Sequence, residues 1–160
     1  MAYDGIEPLE PETWLAQLKT LAQRPTDGEA FAPTLRLAFH LAQLTPAPLR
    51  HVVGCRISEA KFEALLEAGS FAEASLALLG DQMGYTVSRL PGATLATAEV
   101  CFPDEAQGCR ATGSGAASAL LAAWLGRLGS LDEDTPGLDD AILPGRRRDQ
   151  SERRPKSTEH

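Results

Sequence analysis

The 160-residue chain contains no asparagine and only seven aliphatic β-branched residues, three Ile and four Val. Strands favour these side chains, so their scarcity excludes a fold built mainly from β-sheet. Alanine and leucine together supply 48 of the 160 residues, and both favour helices. The composition therefore predicts a mostly helical protein with a small sheet.

Cysteine is also scarce. Cys55, Cys101 and Cys109 are three in number and show no C-x-x-C spacing. An odd number of cysteines disfavours a disulfide framework, and the spacing disfavours a four-cysteine zinc site. We expect reduced thiols, no metal and no cofactor.

Targeting and membrane signals are missing from the sequence. The opening segment MAYDGIEPLEPE has neither the basic region nor the apolar region of a secretory signal. The longest strongly apolar run, Ala116 to Leu125, is about half of the roughly 20 residues that a transmembrane helix needs. We therefore expect a cytoplasmic protein without a membrane partner.

The charges are distributed unevenly along the chain. Residues 1–145 hold 9 Lys and Arg against 19 Asp and Glu, whereas residues 146–160 hold 6 against 3. An acidic body repels phosphate backbones and anionic lipids, because affinity for both is built from clustered Lys and Arg. A protein or another cationic partner is favoured for the body.

The first part of the chain, residues 1–69, has helical periodicity and proline-rich breaks. Ser58 is a suitable N-cap and Gly69 a suitable residue just past a helix C-terminus. Helices are predicted at residues 11–24, 33–44 and 58–68.

The second part, residues 70–131, has the predicted order α-β-β-β-α. Ser70 and Glu73 have the spacing of a capping box for a helix that ends before Gly84, and the last helix is expected from Ser114 or Gly115 to Gly129. Three short antiparallel strands are predicted at residues 85–90, 94–102 and 109–113. The candidate core-side positions are Tyr85, Val87, Ala96, Ala98, Val100 and Phe102.

We thus expect one α+β domain over residues 1–131, in which a helical N-terminal half packs with an α-β-β-β-α half. Residues 132–160 are acidic and then basic, and they have few apolar side chains. Such a segment buries too little apolar area to offset its ordering entropy, so a disordered tail is predicted.

The element order from Ser70 to Leu128 resembles that of double-stranded-RNA-binding domains and of small phage-encoded sandwich domains. The RNA-binding family holds a lysine cluster at the start of its last helix, where this chain has Gly115, Ala116, Ala117, Ser118 and Ala119. The resemblance therefore implies an architecture and not RNA binding.

Two segments are candidate binding sites. Gly113-Ser114-Gly115 precedes the last predicted helix, so the backbone amides of Ser114 and Gly115 could face an anion, although the glycines equally suit a tight strand-to-helix turn. The basic tail could contact nucleic acid, fold back on the acidic body, or have no role. Its basic residues are Arg146, Arg147, Arg148, Arg153, Arg154 and Lys156.

A catalytic or small-ligand site has weaker support. His40 and His51 could form a Cys–His nucleophile pair or a partial zinc site with Cys55 or Cys101. Ordinary packing roles are favoured, because free cysteine is usually buried. The sequence contains no clear catalytic constellation.

Our leading functional hypothesis is a non-catalytic protein-interaction protein, such as an adaptor, a chaperone-like protein or a bacterial phage or secretion accessory factor. Small acidic chaperones of bacterial secretion systems resemble the chain in size and charge. The alternatives are nucleic-acid binding through the tail and a small-ligand or enzymatic pocket near His40, His51 and Cys55. A homodimer is a further expectation.

Overall fold

The structure is a computed structural model that describes residues 5–24, 26 and 28–132. This part of the chain contains six α-helices and one three-stranded antiparallel sheet, which confirms the predicted α+β class. The elements are α1 (Pro11–Ala22), α2 (Phe31–Gln43), α3 (Arg50–Val53), α4 (Glu59–Glu67), α5 (Phe71–Leu79), β1 (Gly84–Ser88), β2 (Ala96–Cys101), β3 (Cys109–Gly113) and α6 (Ala116–Gly129).

The caps predicted for α4 are present. The Ser58 hydroxyl accepts a hydrogen bond from the Lys61 amide at 3.3 Å, and Gly69 adopts a φ of 71°. The Ser70 amide donates to the Leu65 carbonyl at 2.9 Å. This bond, from the residue two positions past the C-cap Ala68 to the last turn of the helix, is the mark of a Schellman motif, which links α4 to α5.

The capping box predicted for α5 does not form. Ser70 has a ψ of 58° and makes no side-chain cap hydrogen bond, because its backbone completes the Schellman motif and lies outside the extended region that an N-cap needs. The helix is also shorter than predicted and ends at Leu79, since Gly80 adopts a φ of 65°. Met83 remains buried, but it lies in the chain that leads to β1.

The sheet order is β1-β2-β3, with β2 in the centre. In β2, alternate residues are buried, namely Ala96, Ala98 and Val100. They face α6, which packs mainly against β2 and β3. The opposite face of the sheet carries Thr97 and Glu99, so the sheet is apolar toward α6 and polar toward the outside.

The buried apolar side chains of both halves form one core cluster. Helix α6 joins the halves, because it packs against α1 of the N-terminal half as well as against α5 and the sheet of its own half. Both tryptophans lie in this core with no exposed surface. The Trp14 indole donates to the Leu41 carbonyl at 2.8 Å, whereas the Trp124 indole nitrogen has no hydrogen-bond partner among the described residues.

Among the described residues, no helix is both long enough and apolar enough to cross a membrane.

Candidate interaction surface at the sheet edge

Strand β1 exposes apolar side chains at one edge of the sheet. Tyr85 is 50% exposed and Val87 is 39% exposed. They pair with Val100 and Ala98 of β2 and so lie on the α6 side of the sheet, as the predicted alternation required. Their prediction as core residues is nevertheless wrong, because α6 packs mainly against β2 and β3 and covers β1 only in part.

The hairpin that follows β1 carries two further exposed apolar side chains. Leu90 is 76% exposed and Leu95 is 53% exposed. We call Tyr85, Val87, Leu90 and Leu95 the hairpin patch. Four exposed large apolar side chains within one strand and the hairpin that follows it mark a candidate interaction site.

Close packing holds α6 over the other two strands, on the same face of the sheet. A Cβ atom at Gly113 would lie 2.3 Å from the Ser118 hydroxyl oxygen, and one at Gly126 would lie 2.7 Å from the Cys109 sulfur. Only glycine allows so close an approach of helix and strand. Helix α6 is therefore fixed above β2 and β3 and makes few contacts with β1, so Tyr85 and Val87 remain exposed.

The opposite edge of the sheet has a different character. On β3, the Arg110 guanidinium donates to the Glu99 carboxylate at 2.8 Å, and the Gly108 amide donates to the same carboxylate at 3.2 Å. These bonds, that from Arg110 above all, hold the pKa of Glu99 below its ordinary value. Charged side chains on an edge strand oppose pairing with another chain. The β1 strand, Gly84-Tyr85-Thr86-Val87-Ser88, has no charge and no proline.

A buried ion pair fixes the β2–β3 loop against α6. The Arg127 side chain is only 11% exposed and forms a bidentate pair with Glu105. Its guanidinium also lies 4.4 Å from the Phe102 ring centre, and the Phe102 amide donates to Glu105 at 2.8 Å. Burial alone would raise the pKa of Glu105, but these hydrogen bonds and the Arg127 charge lower it further than burial raises it. No sequence spacing indicated this cluster, because Glu105 and Arg127 are 22 residues apart.

The start of α6 holds the two predicted anion-binding residues. Gly115 is the N-cap residue, and its amide donates to the Ser118 hydroxyl at 3.1 Å. The Ser114 hydroxyl lies 3.4 Å from the same oxygen. One of the amides expected to face an anion therefore already has a partner within the chain. Anion binding at Ser114 and Gly115 stays a prediction.

A groove lies beside His40. It has a volume of about 490 Å³, mostly apolar walls, and a mouth open to solvent. Its walls come from the N-terminal segment, α2 and the start of α4, and its lining residues are Ile6, Phe39, His40, Gln43, Leu44, Ile57, Ser58 and Glu59. Next to the groove, Arg36 forms a bidentate pair with Glu63 at 2.8 Å.

His51 and Cys55 do not line the His40 groove. His51 is exposed, whereas Cys55 is 1% exposed and lines a different cavity of about 40 Å³ with Arg50. Burial raises the pKa of the Cys55 thiol, which lowers its reactivity as a nucleophile. No group of three or more metal-ligating side chains comes together among residues 5–24, 26 and 28–132.

The basic tail residues from Arg146 to Lys156 lie outside the described residues, as does the predicted tail from residue 133 onward. The described residues contain thirteen Asp and Glu and nine Lys and Arg. Part of the negative charge counted over residues 1–145 thus belongs to residues outside this part, and the described surface is less acidic than that count suggested.

Comparisons of the chain with protein-family models, with curated proteins and with solved structures gave no match.

Proposed function

We propose that this chain is a non-catalytic protein-binding protein that uses the β1 edge and the hairpin patch to bind an extended segment of a partner. The observation that carries the proposal is an uncharged edge strand with Tyr85 and Val87 exposed on its apolar face. An adaptor, a chaperone-like protein and a phage or secretion accessory factor all require such a surface.

The physical basis is strand addition. An edge strand offers a row of unpaired amide and carbonyl groups, which an incoming strand pairs with, while alternate side chains supply specificity. Here the alternate side chains are Tyr85 and Val87, and Leu90 lies just beyond the strand. The other edge is less suited to this role, because Arg110 and Glu99 form an ion pair there.

Charge supports the same surface. The stretch from Gln82 to Ala98 contains no acidic residue and one basic residue, Arg89. An apolar surface of nearly neutral charge accepts a partner strand without the repulsion that the acidic stretches of the chain would add.

The test is site-specific photo-crosslinking. A photoreactive phenylalanine analogue replaces Tyr85 in one variant and Thr112, on β3, in a matched control. We expect a partner to crosslink through position 85 and not through position 112, and we expect Val87→Lys to abolish that crosslink. Equal crosslinking at both positions, or a crosslink that survives Val87→Lys, contradicts the proposal.

A second candidate function is small-ligand binding in the His40 groove, and the volume of that groove favours it. Ligand sites in proteins typically enclose about 300–1,000 Å³ and are mainly apolar with a few polar groups. Here His40, Gln43 and Glu59 would orient an apolar ligand. An Ile57→Trp variant should fill the groove and abolish any thermal stabilisation by small apolar compounds. Stabilisation that persists in this variant excludes the groove as their site.

Nucleic-acid binding through the tail stays a prediction. If it occurs, affinity should fall steeply with salt and should vanish when the six basic residues of the tail, from Arg146 to Lys156, are changed to glutamine.

A further inference from the structure

In β1, Thr86 is the central residue, with a large apolar side chain on each side of it and a small residue at each end. Tyr85 and Val87 lie one residue to either side of it and are on the same face of the sheet. In an antiparallel pair of two β1 strands centred on Thr86, Tyr85 of one strand therefore lies directly opposite Val87 of the other. The strand is thus complementary to a second copy of itself.

We propose that the partner strand at the β1 edge is β1 of a second copy of this chain, and that the two copies form a dimer with a twofold axis at Thr86. The two three-stranded sheets then join into one six-stranded antiparallel sheet. This inference rests on the proposed function, since it names the partner of the same surface.

The side-chain pairing in this register is favourable. An aromatic residue opposite a β-branched residue contributes roughly 0.2–1 kcal/mol relative to two alanines. The twofold axis produces two such Tyr85–Val87 pairs, both on the α6 face of the sheet, at the strand that α6 covers only in part. Leu90 and Leu95 of each copy are exposed in the hairpin beyond the paired strands.

The charges near the strand are compatible with this register. In this register, residue 89 of one copy lies opposite residue 83 of the other. Arg89 therefore lies two positions from Asp81 of the second copy along the strand direction. The Asp81 side chain is 56% exposed in its ion pair with Arg56, and it remains accessible to a second cation. The two Arg89 side chains lie at opposite ends of the pair and do not repel each other at short range.

The contact is small. A strand of five residues is about 17 Å long. Two such strands with four leucines bury less than the approximately 800 Å² per partner of a standard interface. We therefore expect a reversible dimer whose population depends on protein concentration.

Sedimentation velocity of the full chain tests the dimer. Between about 5 and 500 µM, a range suited to a contact of this size, we expect the weight-average sedimentation coefficient to rise from that of a monomer toward that of a dimer. Val87→Lys should keep the protein monomeric throughout, because it places a charge at the centre of the contact. Thr112→Lys, on the β3 edge, is the matched control and should dimerise like the original chain. Far-UV circular dichroism confirms that both variants are folded.

Disulfide trapping tests the register. In a Cys101→Ser, Cys109→Ser background, Thr86→Cys should give a covalent dimer on mild oxidation, since paired Cα atoms in antiparallel strands are 4.5–5.5 Å apart. Ser88→Cys should react much more slowly, because the two copies of residue 88 are separated by four strand positions, about 14 Å.

The outcomes separate this inference from the proposed function. A chain that stays monomeric at all concentrations, or a dimer that Val87→Lys leaves intact, overturns the second copy as the partner. Capture of a different protein through position 85, dependent on Val87, would still support strand addition in that case. If neither a second copy nor another protein binds at β1, both proposals fail.

Discussion

Replacement of Glu105 by glutamine should destabilise the fold measurably at neutral pH. The carboxylate pairs with Arg127 and accepts the Phe102 amide at 2.8 Å. Removing one partner of a buried ion pair costs roughly 3–5 kcal/mol. The Glu105 side chain is 28% exposed, so solvent screening reduces the expected loss to about 2 kcal/mol.

Urea denaturation measures this loss. With an m value of about 2 kcal/mol per molar urea, the unfolding midpoint of Glu105→Gln should fall by about 1 M. The matched control is Glu99→Gln, which breaks a pair whose arginine side chain is 72% exposed, and its midpoint should move much less. Equal midpoints for the original chain and Glu105→Gln would refute the reasoning.

The same pair predicts a pH dependence. The pKa of Glu105 is lower in the folded chain than in the unfolded chain, so the ionised carboxylate stabilises the folded state. This contribution is complete above the unfolded pKa, about 4.3 for glutamate, and is lost as the pH falls through the folded pKa. The difference in unfolding free energy between the original chain and Glu105→Gln should therefore shrink below about pH 4.

Three further predictions concern the core and the thiols. Trp14→Phe should destabilise the protein by about 1–2 kcal/mol more than Trp124→Phe in urea denaturation, because only the first removes a buried hydrogen bond; equal losses would contradict this. Gly113→Ala should lower the thermal midpoint by several degrees more than Gly115→Ala, since a Cβ meets α6 atoms at the first position and nothing at the second; similar midpoints would argue against close packing there. Cys55 should resist a thiol reagent in native buffer and react in denaturant, as mass spectrometry of labelled peptides would show; rapid native labelling would mean that it is not buried.

Local signals in the sequence predicted most of the fold. The Ser58 cap and the positive φ of Gly69 depend on neighbouring residues alone, and both were confirmed. The strands also followed from alternation, which placed Tyr85 and Val87 on the correct face of the sheet. The capping box predicted at Ser70 does not form, because the Ser70 amide donates to Leu65 in the Schellman motif that ends α4.

The candidate surface could not be predicted in the same way. Periodicity tells which face of a strand points toward a helix, but it does not tell how far that helix extends across the sheet. The exposure of Tyr85 and Val87 depends on where α6 lies, and that position follows from contacts at Gly113 and Gly126. These contacts join residues that only the folded chain brings together.

The position of α6 has a consequence for synthesis of the protein. It is the last α-helix of the described residues, and yet α1, α5 and all three strands pack against it. Translation proceeds from the N-terminus. The apolar faces of the earlier helices therefore stay exposed to solvent until α6, which ends at Gly129, has left the ribosomal tunnel. We expect nascent chains stalled before that residue to bind ribosome-associated chaperones, and released chains to close cooperatively.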